Sequence, residues 1–300
     1  MILMLGMAGS ASSQQCGLQY GHFEPDQDLF LYGDKVNVRS TPSTSGAVVS
    51  NLPAGHPIMI DQADDATFAM GGYSTNWYRV VYKESGQDKA GYVWGGLISM
   101  ATAELENPGA ANDQFVCSIS SWSQEKNFVM TARVIRGGKI LTSLDFEPIS
   151  SGFFDAGVFG HGVCVTVDGN HGFKGVRNVI RLEFNYEACG YENGEIFILW
   201  DGSKLTWLGK ASTVVEGGVF AYTYELFFPD DPVSGSPGIL KVLQTYEEYY
   251  YPEGDQQLSD VANLVILEDG SMMIMEKTLK SFSWDGTKVT VLPEKEIIDK

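Results

Sequence analysis

Short runs in which apolar and polar residues alternate fill most of the chain, and no long amphipathic helix competes with them. Between residues 29 and 99, Val36, Val38 and the apolar residues of AVVSNL alternate with polar neighbours, as half-buried strands require. The turn formers at 40–46, STPSTSG, separate them. Leu52-Pro53-Ala54-Gly55 supplies a second turn before Pro57-Ile58-Met59-Ile60, and WYRVVY and AGYVWG add two strands around the polar residues 83–89. Five short strands in about seventy residues predict a small barrel, because closure leaves no long free edge.

Residues 101–114 lie within MATAELENPGAANDQ, rich in Ala, Asn, Pro and Gly without alternation, and read as a linker. The pattern is β again from Phe115 to Leu292. FVCSI, FVMTARVI, KILTSL, GVCVTVD, NVIRLEF, EIFILW, KLTWL, VFAYTYELFF, ILKVLQTY, ANLVIL, SMMIME, SFSW and KVTVL are short, branched or aromatic, and bounded by Gly, Asp, Asn or Pro. Asp168-Gly169, Asp201-Gly202, Asp269-Gly270 and Asp285-Gly286 sit between such runs as hairpin signals. LWDGSKLTWL and SWDGTKVTVL share the order Trp-Asp-Gly-(Ser/Thr)-Lys at an offset of 84 positions. That offset fits two repeats of about forty-two residues, close to the period of a propeller blade. A β-sandwich built from the same hairpins competes, with a slight preference for the propeller-like arrangement. The expected fold class is all-β: a barrel at 29–100, a linker at 101–114 and a larger all-β domain at 115–300. Residues 1–13 and an N-terminal segment, 14–28, precede them.

VNVRSTPSTSGAVVSNLPAG, then WYRVVY, then GYVWGGLIS, resembles the bacterial SH3 (SH3b) family in order and spacing, over about a quarter of the chain. The resemblance implies an SH3-like barrel that attaches to cell-wall or envelope material, often peptidoglycan peptides, and not to Pro-rich peptides. One departure stands out: DQADDATFAMGGYSTN, between Ile60 and Trp77, is longer than the family's usual few residues. It enlarges a loop that helps shape the groove. The GYENG stretch at 190–194 before EIFILWDGSKL is similar to all-β C-terminal regions that accompany SH3b modules in Bacteroidetes-type envelope proteins, to which no activity attaches.

With 300 residues and 44% apolar composition the chain can bury two cores. A net charge of −18 excludes nucleic acid and anionic membrane surfaces as partners, which need clustered Lys and Arg. Residues 101–300 hold 29 of the 38 acids, an excess that reads as a solubilising surface. MILMLGMAGSASSQQ has an apolar run followed by small residues, like the core and cleavage region of a secretory leader whose basic start is missing. Cleavage after Ala11 or Ser13 suits the small-residue rule, a lipid anchor at Cys16 is the lesser option, and no later run is long enough to span a bilayer. The expected location is periplasmic or extracellular. Cys16, Cys117, Cys164 and Cys189 allow three pairings, or remain buried thiols.

No catalytic residue is assigned. Cys117, Cys164 and Cys189 lie in strand-like runs rather than at a helix start, where wall peptidases place a thiolate, and no nucleophile elbow, phosphate loop or HExxH helix occurs. His161, Cys164, Asp168 and His171 straddle a strand and turn and read as ordinary turn residues, so no metal or other cofactor is expected. Aromatic residues carry the binding expectation, because their faces stack on sugars or peptide stems while polar tips stay wet. The first candidates are Tyr73, Trp77, Tyr78, Tyr92 and Trp94 on the barrel, with one of Trp77 and Tyr78 exposed. The weaker set is Tyr246, Tyr249, Tyr250 and Tyr251. The expected function is an exported, non-catalytic protein that binds cell-wall peptide, glycan or an envelope protein. An envelope hydrolase with its site in the C-terminal domain, and a structural scaffold, are the alternatives.

Overall fold

A computed structural model describes residues 15–18, 22–106, 111–125, 127–149, 161–186, 189–251, 261–268 and 270–297. The leader-like residues 1–13 and Asp269 of the third Asp-Gly pair lie outside them. The chain begins with Gln15–Leu18 (β1). Asp28–Phe30 (β2), Val36–Arg39 (β3), Val48–Leu52 (β4), Pro57–Met70 (β5), Tyr73–Glu84 (β6) and Gln87–Trp94 (β7) then form one sheet in the order β2-β5-β6-β7-β3-β4. A 3-10 turn, Gly95–Leu97, leads out of it. Leu29, Val36, Val38, Ile60, Val80 and Val93 fill its core, the inward members of the alternating runs.

Residues 61–76 form no loose loop. They are the outer half of the β5–β6 hairpin, which runs on to a turn at Gly71-Gly72. Gly72 has φ +88°, and a Cβ there would run into the Trp122 carbonyl, so only glycine seats this tip. The Trp122 N–H donates to the Gly71 carbonyl at 2.7 Å. The family's enlarged loop is thus an arm laid on the next sheet.

That sheet is Ala101–Leu105 (β8), Asp113–Ser123 (β9), Asn127–Arg136 (β10) and Lys139–Phe146 (β11), in the order β11-β10-β9-β8. Within the stretch read as a linker, Ala101–Leu105 pairs with β9, Ala101 opposite Cys117 and Leu105 opposite Asp113. Ala101 and Leu105 are fully buried, because this edge strand lies against the third sheet as well as β9. Arg133 holds the junction from the other side: its Nη1 donates to the Tyr32 carbonyl at 2.8 Å, and its guanidinium lies 4.1 Å from the Tyr32 ring centre.

The third sheet is an antiparallel meander. His161–Asp168 (β12), Asn178–Tyr186 (β13), Asn193–Trp200 (β14), Leu205–Glu216 (β15), Phe220–Phe227 (β16) and Ile239–Tyr249 (β17) are neighbours in chain order. Leu264–Ile266 (β18), Met272–Trp284 (β19), Val289–Val291 (β20) and Lys295–Ile297 (β21) complete it, with β18, β20 and β21 all pairing with β19 and β1 closing the far edge on β12. Among the described residues these strands form one continuous sheet rather than separate blades. Both Trp-Asp-Gly-x-Lys hairpins lie in this one sheet and fold alike: the Asp201 and Asp285 carboxylates each accept from backbone N–H groups two and three residues on. Lys204 Nζ bonds the Thr287 carbonyl at 3.2 Å, so the two turns sit side by side. Asp168-Gly169 instead opens a longer connection to Asn178.

From Gly194 to Trp200, β14 is buried on both faces. Ile196, Ile198 and Trp200 pack with Phe115, Cys117 and Ala132 of the second sheet. Phe197 and Leu199 pack with Leu240, Val242 and Phe282 of their own sheet, which curls over itself. EIFILW lacks alternation for that reason.

Candidate functional site

Four of the five barrel aromatics are interior. Tyr73, Trp77, Tyr78 and Trp94 keep 8, 4, 1 and 2% of their surface, and Tyr92 alone stays half-buried. Trp77 and Tyr78 point to opposite sides of β6, yet both are covered. Tyr78 enters the barrel core, while Trp77 joins Tyr73 and Trp94 against Phe115, Cys117 and Ile119. The polar tips are used as well: Tyr73 Oη donates to the Ile119 carbonyl at 3.0 Å, and Trp94 Nε1 to the Phe68 carbonyl at 2.8 Å. Tyr73, Trp77 and Trp94 are spent on holding the barrel to the second sheet, and Tyr78 on filling the barrel itself.

The phenols report the same burial. Desolvation pushes Tyr32 up to about 12 and raises Tyr73 and Tyr78. An unfolded chain ionises its tyrosines near pH ~10. Below that pH the stability these residues contribute is fully present, and it is lost as pH rises toward the folded-state values. Denaturation midpoints measured alongside phenolate absorbance should therefore fall together above pH ~10. A midpoint that stays level while the phenolates appear would contradict this burial.

The second tyrosine set is spread over the end of β17. Tyr249 and Tyr251 are 41 and 74% exposed, whereas Tyr246 is half-buried, bonded to Glu248 at 2.8 Å and tilted against Phe220. Strand alternation places Tyr246 and Tyr249 on opposite faces, so the four form no single stacking platform.

The curled sheet holds a charge network the sequence did not signal. Arg181 Nε donates to Glu195 Oε2 at 2.6 Å, and its Nη1 lies 3.5 Å from Asp168 Oδ2. Tyr224 Oη donates to Glu195 Oε1 at 2.9 Å. Burial works against the Arg181 cation, but the bonds and charges of Glu195 and Asp168 outweigh it and hold its pKa above the ordinary arginine value. His171 stacks on Phe228 at 4.1 Å with its ring nitrogens 3.5 Å from Asp168 and Asp230. Cys164 is disulfide-bonded, so it has no thiolate to offer, while Cys117 and Cys189 are free thiols. Among the described residues no three His, Cys, Asp or Glu side chains are placed to hold a metal ion.

Where the barrel meets the second sheet a cleft of ≈ 380 Å³ stays open. Its barrel wall is the 53–57 turn between β4 and β5, and its other wall is Asn112, Gln114, Ile135 and the Gly137-Gly138 turn between β10 and β11. LPAGHP and RGGK are legible as turns. Nothing in the sequence says that they face each other.

Residues 34–99 match the family model described as bacterial SH3 domain. Over this stretch the chain is similar to the bacterial SH3 family, which is often involved in cell-wall binding and often found in exported proteins. No curated protein and no solved structure matches the chain. No helix among the described residues is long and apolar enough to cross a membrane.

Proposed function

We propose that this chain is an exported, non-catalytic protein of the cell envelope that binds wall peptide or glycan through its bacterial SH3 domain. The family match over residues 34–99 carries the reading. The disulfide at Cys164 supports an oxidising compartment outside the cytoplasm. Two observations weigh against the hydrolase alternative. Arg181 engages both Glu195 and Asp168, and the thiol that lies nearest a histidine in sequence, Cys164, is oxidised. Because four of the five barrel aromatics are interior, the ligand surface is read as the part of the barrel that the second sheet leaves open.

Sedimentation of the full chain with purified sacculi, with a parallel assay for released muropeptides, tests the reading. The expected result is co-sedimentation without release. Muropeptide release would move the function to a hydrolase, and a chain that stays in the supernatant would leave the SH3 domain as a fold without this ligand.

A further inference from the structure

We infer that the cleft between the 53–57 turn and the second sheet binds an uncharged segment bearing secondary amides, supplied by a wall peptide or by the N-acetyl groups of a glycan. The inference rests on the wall-binding reading and adds the site and its chemistry. At ≈ 380 Å³ the cleft falls within the range of small-ligand sites, and it lies at a junction of two sheets, where such sites concentrate.

Its lining contains no Lys, Arg, Asp or Glu, although the chain carries 58 of them. Charged groups beside it are already engaged: Arg136 makes two bonds of 2.6 Å to the Asp113 carboxylate, whose side chain is fully buried, and the Glu104 carboxylate accepts from Asn112 at 3.1 Å. A charged ligand entering here would lose hydration with no countercharge in the lining itself to meet it. A neutral ligand loses far less.

The polar side chains that line the cleft are two carboxamides and an imidazole. The Gln114 carboxamide pairs with no other described residue and stands over Gly55, where a Cβ would strike its Oε1. Gly55 has φ +71°, so the turn and the room above it have one cause. His56 Nε2 lies 3.0 Å from the Lys83 carbonyl, and since a carbonyl only accepts, Nε2 carries the proton. In the neutral imidazole Nδ1 is then an acceptor. Asn112 spends an N–H on Glu104 at 3.1 Å and keeps its carbonyl. Gln114 can thus give and take one bond each, which is what the N–H and C=O of a secondary amide require, while His56 and Asn112 add acceptors. Pro53, Pro57 and Ile135 supply apolar walls for the methyl groups of acetyl or alanyl units.

The test uses the full chain, wild type, Gln114→Glu and Asn112→Trp. Gln114→Glu keeps the shape and adds a charge, and Asn112→Trp fills the mouth from an exposed position. Each is titrated with acetyl-trialanine amide and with an N-acetylglucosamine tetramer, and sedimented with sacculi; unchanged thermal unfolding certifies the folds. One of the two probes should shift the NMR signals of the Gln114 side-chain amide and the Gly137 and Gly138 amides, with affinity indifferent to salt. Both substitutions should weaken that probe and sacculus binding by about tenfold or more. Which probe binds identifies the source of the amide. Sacculus binding that survives both substitutions, or that loosens with salt, overturns the cleft and leaves the wall-binding reading intact. A wild-type chain that ignores sacculi as well as both probes overturns the two together.

Discussion

Replacing Trp94 by alanine is expected to lower the free energy of unfolding by about 3–5 kcal/mol, the range for emptying a large aromatic from a core. The side chain keeps 2% of its surface, stacks edge-on to Phe68 at 5.7 Å and lies 5.5 Å from Tyr73. Its loss opens a cavity between the barrel and the second sheet. It also leaves the Phe68 and Thr75 carbonyls without the indole N–H they share, at 2.8 and 3.2 Å. The apolar cavity and the lost indole hydrogen bonds act in the same direction. Denaturant unfolding, with the slope compared between variant and wild type, measures it. A variant that loses sacculus binding but less than ~1 kcal/mol of stability would restore Trp94 as a ligand contact and refute the packing role.

Glu195→Ala should cost about 1–3 kcal/mol, because removing the buried carboxylate takes a charged partner from the half-buried Arg181 and an acceptor from Tyr224. Glu195 is 7% exposed, with one oxygen on Arg181 and the other on the Tyr224 hydroxyl. In the variant the guanidinium keeps only Asp168 at 3.5 Å, and the phenol faces no acceptor in its place. Glu195→Gln retains the shape and one acceptor, so it should cost less than the alanine change. Equal losses for the two variants, read from urea midpoints at constant slope, would show that the charge is immaterial there. A loss below ~1 kcal/mol for alanine would mean that Arg181 is solvated in the folded chain.

The all-β class was legible because alternation and turn residues act over a few positions. Val36 and Val38 turn inward, STPSTSG turns the chain, and both Asp-Gly-x-Lys hairpins form as their residues dictate. The candidate site was legible only in part. WYRVVY was read with one face wet, the usual state of a small barrel, but Trp77 is covered by Phe115 and Ile119 from a sheet that begins beyond the barrel. MATAEL was read as a linker because Ala gives no alternation signal. It nonetheless extends and pairs with β9, Ala101 opposite Cys117.

By itself, then, the sequence determined the local conformations: which residues extend, which turn, and which stretch resembles the bacterial SH3 family. Periodicity, turn chemistry and motif order are properties of neighbours along the chain. The tertiary structure alone decided which barrel face meets water, that the long hairpin lies on β9, and that Gly55 and Gln114 border one cleft. The physical reason is that burial depends on what arrives from elsewhere. A tryptophan on a strand has the same neighbours in sequence whether it awaits a ligand or a second sheet, and only the packing of Phe115 and Ile119 against Trp77 and Trp94 distinguishes the two.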